Sequence, residues 1–104
     1  MAIGLQINGN IARITMSGRF DFKLHREFKD TYTPLMDNAA IREIEIELSA
    51  VDYLDSSALG MLMLLNERAT ALNKSITLLN TSSMVSQVLQ VANFDKIFNL
   101  KHAS

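Results

Sequence analysis

Apolar and polar positions alternate over four stretches of the chain. Ile3, Leu5 and Ile7 alternate with Gly4 and Gln6. Asn8-Gly9-Asn10 then offers a tight turn of the hairpin kind, and Ala12, Ile14 and Met16 alternate with Arg13, Thr15 and Ser17. Residues 42–48 set Ile44, Ile46 and Leu48 against Glu43, Glu45 and Glu47. Residues 75–79 set Ile76 and Leu78 against Thr77, with Leu79 breaking the rule. A period of two belongs to a strand with one buried face. A doubly wound sheet, covered on both faces, would show continuous apolar runs instead. The pattern therefore predicts helices on one face of a sheet and water on the other.

Three further stretches carry helical spacing. Residues 23–37 align Leu24, Phe28, Tyr32 or Thr31, and Leu35, with Pro34 inside as a kink or the start of a new turn. Residues 56–74 carry an inward stripe of Ala58, Leu62, Leu65, Ala69 and Leu72. Residues 82–93 turn Val85, Val88, Leu89 and Ala92 inward, and Phe94, Ile97, Phe98 and Leu100 suggest a last turn and a short edge strand. The order is β-β-α-β-α-β-α. A strand, a helix and a return strand occur twice, which predicts right-handed parallel crossovers after the hairpin. The expected fold is α/β: a mixed four- to five-stranded sheet with helices packed on one face.

Composition narrows the function classes. A chain of 104 residues, 48% hydrophobic, suits one domain over residues 1–104 with a core that needs no staples. The absence of cysteine excludes disulfides, thiol catalysis and cysteine-ligated zinc. Ten basic and eleven acidic residues give a net charge of −1, against the basic stripe of a nucleic-acid binder. The longest apolar run, 58–65, is far short of a membrane span. No basic segment followed by an apolar one marks a signal peptide at the start. These features lead to the expectation of a cytoplasmic protein, without metal or cofactor. Its open sheet edges and methionines allow a monomer or a weak dimer.

Most candidate chemistry is weak. His25 falls on the polar side of the first helix and His102 in the tail; neither has a partner at metal or triad spacing. No glycine-rich phosphate loop is present. Glu43, Glu45 and Glu47 would stand about 6.7 Å apart on one strand face, a spacing open to an acid/base pair. Nothing else in that strand points to a cleft, and a solvated sheet face is the simpler reading.

The segment 51–60, Val-Asp-Tyr-Leu-Asp-Ser-Ser-Ala-Leu-Gly, is different. It joins the end of a strand to the start of the most apolar helix, where α/β folds place sites. Free N–H groups and the helix dipole favour an anion there. Asp and Ser are also preferred helix caps, and one of these residues must cap the helix. A cap needs one side chain, however, and Asp55, Ser56 and Ser57 supply three. The same helix carries Leu59, Met61, Met63 and Leu64 outside its inward stripe. We expect Leu59 and Met63 to be packed, and Met61 and Leu64 to be partly exposed as an adaptable partner patch.

From the first hairpin to the last helix the chain resembles a STAS domain of the anti-sigma factor antagonist family. Residues 54–60, Leu-Asp-Ser-Ser-Ala-Leu-Gly, match that family's apolar-Asp-Ser-Ser-Gly/Ala-Leu-Gly signature. Residues 18–21, Gly-Arg-Phe-Asp, resemble the Gly-x-apolar-Asp that ends its second strand, and residues 88–98 resemble its C-terminal pattern. The resemblance implies a phospho-switch. In the family the serine directly after the Asp, here Ser56, is phosphorylated by a partner that is both anti-sigma factor and serine kinase. The unphosphorylated form binds that partner and releases the sigma factor, and a metal-dependent serine/threonine phosphatase reverses the mark. The aspartate implied beside the serine is Asp21. The implied partner surface comprises Asp21, Asp55, Ser56, Ser57, Met61 and Leu64, made acidic by Asp52, Asp55 and Asp21. Two departures stand out. Ala58 replaces the commoner glycine. The Arg19-Phe20-Asp21-Phe22 wording is nearer to Gram-negative, biofilm- or motility-linked members, whose target need not be a classical sigma factor. Two alternatives remain at this level. One is a STAS subunit or sensor that is never phosphorylated and binds a small ligand or a transporter partner. The other is a small enzyme with Ser56 as nucleophile, which has no histidine or lysine near it in sequence.

Overall fold

The structure, a computed structural model, describes residues 2–102 of the chain. Strands β1 (Ala2–Asn8) and β2 (Ile11–Phe20) form an antiparallel hairpin in which Asn8 stands opposite Ile11. Gly9 opens the two-residue loop at φ +65°, the left-handed conformation a II′-type turn asks of its first residue. Strands β3 (Glu43–Leu54), β4 (Ser75–Thr81) and β5 (Asn99–His102) then add in parallel, giving the order β1-β2-β3-β4-β5. The crossovers are α1 (His25–Met36), α2 (Ser56–Ala71) and α3 (Ser83–Val91). A 3-10 turn at Phe22–Leu24 precedes α1, and another at Phe94–Lys96 follows α3. No helix among the described residues is long and apolar enough to cross a membrane.

The alternating residues of the inner strands build the floor of one core. Ala12, Ile14, Met16, Ile44, Ile46, Leu48, Ile76 and Leu78 are all buried. Onto them pack Leu24, Phe28, Tyr32 and Leu35 from the first crossover, Ala58, Leu62, Leu65 and Ala69 from α2, and Val85 and Leu89 from α3. Tyr32, rather than Thr31, faces inward. Thr31 instead donates its hydroxyl to the Glu27 carbonyl one turn back. The Phe28 ring lies between Phe20, to which it is tilted, and Tyr32, which it meets edge-on, with both centroid distances at 5.3 Å. Each fully buried side chain of this size contributes about 1.5–3 kcal/mol.

Element ends differ from the pattern for identifiable reasons. The second helix, expected to reach residue 74, stops at Ala71; Leu72 is its C-cap and Asn73 turns left-handed at φ +59°. Leu72, expected inward, is therefore half exposed. Asn93, at φ +61°, similarly follows the end of α3. Pro34 is exposed within the last turn of α1, which runs on to Met36. His102, expected in a tail, closes β5. β3 continues six residues past the alternating stretch. Its register with β2 skips a residue between Thr15 and Ser17 and again between Gly18 and Arg19. Each bulge breaks the period of two, and Gly18 absorbs part of the distortion at φ +84°.

The helix-free face is polar but closed at its centre. Glu45 pairs with Arg13 at 3.0 Å, Ser75 donates to Glu43 at 3.4 Å, and Glu47 accepts from the Ser49 N–H and the Asn80 amide. The carboxylate row is thus committed to cross-strand bonds. Thr77, expected on the wet face, and Leu79, which breaks the alternation, are both buried in β4, an inner strand. At the other edge Leu5 and Ile7 face the helix side opposite Ile14 and Ala12, yet remain exposed.

Two predictions follow from these contacts. Buried Lys74 donates its ammonium to the Asn38 and Ile41 carbonyls at 2.8 and 2.6 Å, tying the loop before β3 to the loop before β4. Lys74→Ala strands those acceptors and should lower unfolding free energy in urea by about 1–3 kcal/mol. Burial pushes the Glu47 carboxyl up, but hydrogen bonds from Ser49 and Asn80, with Arg13 nearby, outweigh this and hold it below its ordinary value. A carboxyl held low when folded favours the fold above its unfolded pKa, and that contribution fades as pH falls through the folded value. The melting temperature of Glu47→Gln should therefore drop less than that of the parent between neutral pH and about pH 3; parallel melting curves would refute the assignment.

Candidate functional site

The site grows from the C-terminal ends of β2 and β3. Phe20 and Leu54 are the last register pair, so Asp21 and Asp55 leave the sheet side by side. Both have extended backbones, and both carboxylates turn back onto the helical turn that follows. Asp21 accepts from the Lys23 N–H at 3.1 Å, and Asp55 accepts from the Ala58 N–H at 2.9 Å. Each of these crossovers thus begins with an aspartate cap.

Asp55 meets the capping need of α2 alone. The first intrahelical bond runs from the Leu59 N–H to the Asp55 carbonyl at 3.1 Å. Ser56 and Ser57 occupy the first two helical positions, both exposed. Among the described residues neither hydroxyl forms a hydrogen bond. Ala58, next along, is fully buried in the core and anchors the turn. Two free hydroxyls therefore stand on a rigid helix start whose unpaired N–H groups and dipole favour negative charge.

The rim is not simply acidic. Asp52 is exposed, but Arg19 and Lys23 stand beside Asp21 on the strand-end surface. The Arg19 guanidinium lies 4.0 Å from the centre of the Tyr53 ring and 3.7 Å from the Asp21 carboxylate. The bulge at Asp52 brings Tyr53 level with Arg19 in the register.

A groove of about 440 Å³ begins at Ser57, between α2 and the start of the first crossover. Ser57, Gly60, Met61 and Leu64 line one wall, and Phe22 and His25 the other. Met61, expected partly exposed, is only 7% exposed and forms part of the lining from beneath. It stands one turn after Ala58 and one before Leu65, so it shares their buried side. Leu64, at 38% exposed, is the rim residue expected, and Leu59 and Met63 are packed against the core. A Cβ placed on Gly60 would meet nothing within 4 Å, so the groove is open down to the helix backbone there.

His25 is on the exposed side of its helix as expected, but neither it nor Phe22 was expected in the groove. Phe22 is 65% exposed, and its 3-10 turn has no periodicity to reveal a face. The one available signal was an aromatic residue next to Asp21. A second groove, about 700 Å³, lies between α2 and α3 and is lined by Leu59, Val88 and Val91 among others. Apolar surface thus flanks both sides of the serine turn. Among the described residues, no group of three or more histidines and carboxylates is placed to hold a metal.

Comparison with known proteins agrees with this architecture. The chain is 40% identical over 95 residues to a STAS-domain-containing protein of Pseudomonas aeruginosa (strain UCBPP-PA14), covering 89% of this chain and 90% of that one. Among solved structures, an anti-sigma-factor antagonist (STAS) domain protein from Planctomyces limnophilus superposes with a TM-score of 0.85 at 20% identity, covering 98% of this chain and 91% of that one. The Bacillus cell fate determinant SpoIIAA superposes with a TM-score of 0.78 at 18% identity in both its unphosphorylated and its phosphorylated form. It covers 99% of this chain and 90% or 92% of the respective SpoIIAA chain. The family profile described as Mlab, STAS domain, matches residues 3–100. With that profile spanning nearly the whole chain and the strand-ends site in place, the chain belongs to the STAS-domain family.

Proposed function

We propose that this STAS domain is an anti-sigma factor antagonist, the switched binding member of a partner-switching pathway. Its unphosphorylated form binds an anti-sigma factor that is also a serine kinase. Phosphorylation of Ser56 ends that binding, and a serine/threonine phosphatase of the metal-dependent class restores it. The protein acts in the cytoplasm, by binding rather than by catalysis. The observation that carries this reading is the division of labour at the start of α2. Asp55 caps the helix, which leaves Ser56 exposed and its hydroxyl uncommitted.

A phosphate on Ser56 adds a charge of about −1.5 to −2. The free amides and dipole of α2 tolerate it, so the fold is kept. SpoIIAA, which superposes equally well in its two phosphorylation states, supports that tolerance. A docked partner meets the charge differently. Its apolar contacts rest on Phe22, Met61 and Leu64, with Asp21, Asp55 and Ser57 around them. A new dianion at their border must be desolvated across the interface and repels any carboxylate that the partner sets there.

Intact mass after incubation with ATP and the cognate kinase should show one added phosphate, lost in Ser56→Ala. Ser56→Asp should weaken binding to the same kinase at least tenfold, whereas Ser56→Ala should bind like the unmodified parent. No phosphate gain with binding retained would instead favour a STAS subunit that is never phosphorylated. The stabilities should separate cap from switch: Asp55→Ala should cost about 0.5–2 kcal/mol, while Ser56→Asp should melt within a degree or two of the parent. A large drop in Ser56→Asp would make Ser56 a structural residue.

A further inference from the structure

The two edges of the sheet are guarded very differently. Natural edge strands are blunted by shortness, charge, proline or bulges. β5 has four residues and ends in Lys101-His102. β1 has seven residues, none charged and none proline, and its seven register pairs with β2 run without a bulge. Its helix-side residues Leu5 and Ile7 are 44% and 54% exposed. Together these leave an apolar strand with one full row of backbone groups open to pairing.

We propose that a second copy of this chain covers that edge, β1 pairing antiparallel with its own copy about a twofold axis at Leu5. The strand's sequence is self-complementary about that residue. Leu5 stands at the centre of Ala2–Asn8, so the axis sets Leu5 against Leu5, Ile3 against Ile7, and Gly4 against Gln6. Ile3, Leu5 and Ile7 thus meet only one another on the helix side, and uncharged residues meet on the other. A slip of one residue would set the apolar row against the polar one. An isologous contact uses the same patch on both copies, so the unguarded edge of each meets an equally unguarded edge in the other. No like charges oppose within the pair, and the chain's net charge is only −1. One strand edge with two exposed apolar side chains falls short of the roughly 1,200 Å² of a stable interface. The dimer is therefore weak and concentration-dependent. It leaves the ends of β2 and β3 uncovered.

Sedimentation velocity over a dilution series tests the pairing. The weight-average mass should rise from 11.6 kDa toward twice that value. Leu5→Lys, which sets lysine against lysine on the axis, should remove the rise while keeping the parent's circular dichroism. A second variant does not depend on Leu5→Lys folding. Leu5→Cys would be the sole cysteine in the chain. Its two copies would stand with Cα atoms about 4.5–5.5 Å apart, within reach of a disulfide. Oxidation should cross-link Leu5→Cys into a dimer, whereas Val91→Cys, on the exposed side of α3, should stay monomeric. A mass fixed at 11.6 kDa throughout, association that survives in folded Leu5→Lys, or equal cross-linking of the two cysteine variants would overturn the proposal.

Discussion

The parallel pairing of β2 with β3 is the contact on which the site depends. It survives two bulges and still delivers Phe20 and Leu54 as a matched pair at the sheet's end. Because the two strands finish level, their next residues emerge together, and each is an aspartate that turns onto the helical turn it precedes. The serine turn, the cationic Arg19 beside Tyr53 and the groove under Phe22 all inherit their positions from that shared end. A single residue more or less in either bulge would separate the two caps and dissolve the arrangement.

At the start of α2, four consecutive residues have four separate duties. Asp55 satisfies the backbone, Ser56 and Ser57 face solvent, and Ala58 locks the turn to the core. Serine is itself a good cap, so a serine that must change its charge state is best relieved of that duty by a neighbour. Gly60, one turn further, lowers the helix propensity by roughly 1 kcal/mol relative to alanine. In return it exposes bare backbone in the groove wall, where a partner's side chain can approach closely.

Much of this was legible in the sequence. Alternation located the cores of β1 to β4, and spacing located the three helices, because each of these elements buries one face. The polar sheet face and the Asp-Ser-Ser turn could likewise be read directly. Legibility failed where burial stopped following the period. The far half of β3 was hidden by bulges, which shift the side chains out of alternation. Met61 was misjudged because the apolar stripe of α2 is one residue wider than the sequence required. His25 lies on the exposed side of its helix, as its spacing indicates, but Phe22 could not be assigned to a face, since a 3-10 turn has no repeat to read. The question of which residue caps α2 was open in sequence and became a matter of one hydrogen bond.

The strand order has a kinetic consequence. Every strand lies next to its predecessor in the chain, but β3, β4 and β5 pair in parallel, so each of those pairings waits for a whole crossover to arrive. Loop closure must precede the contacts that offset it, so this sheet folds more slowly than a helical bundle of similar length. Growth of the sheet can track synthesis from the first hairpin onward. The serine turn would be assembled once β3 and α2 have left the ribosome, before β4, α3 and β5 exist.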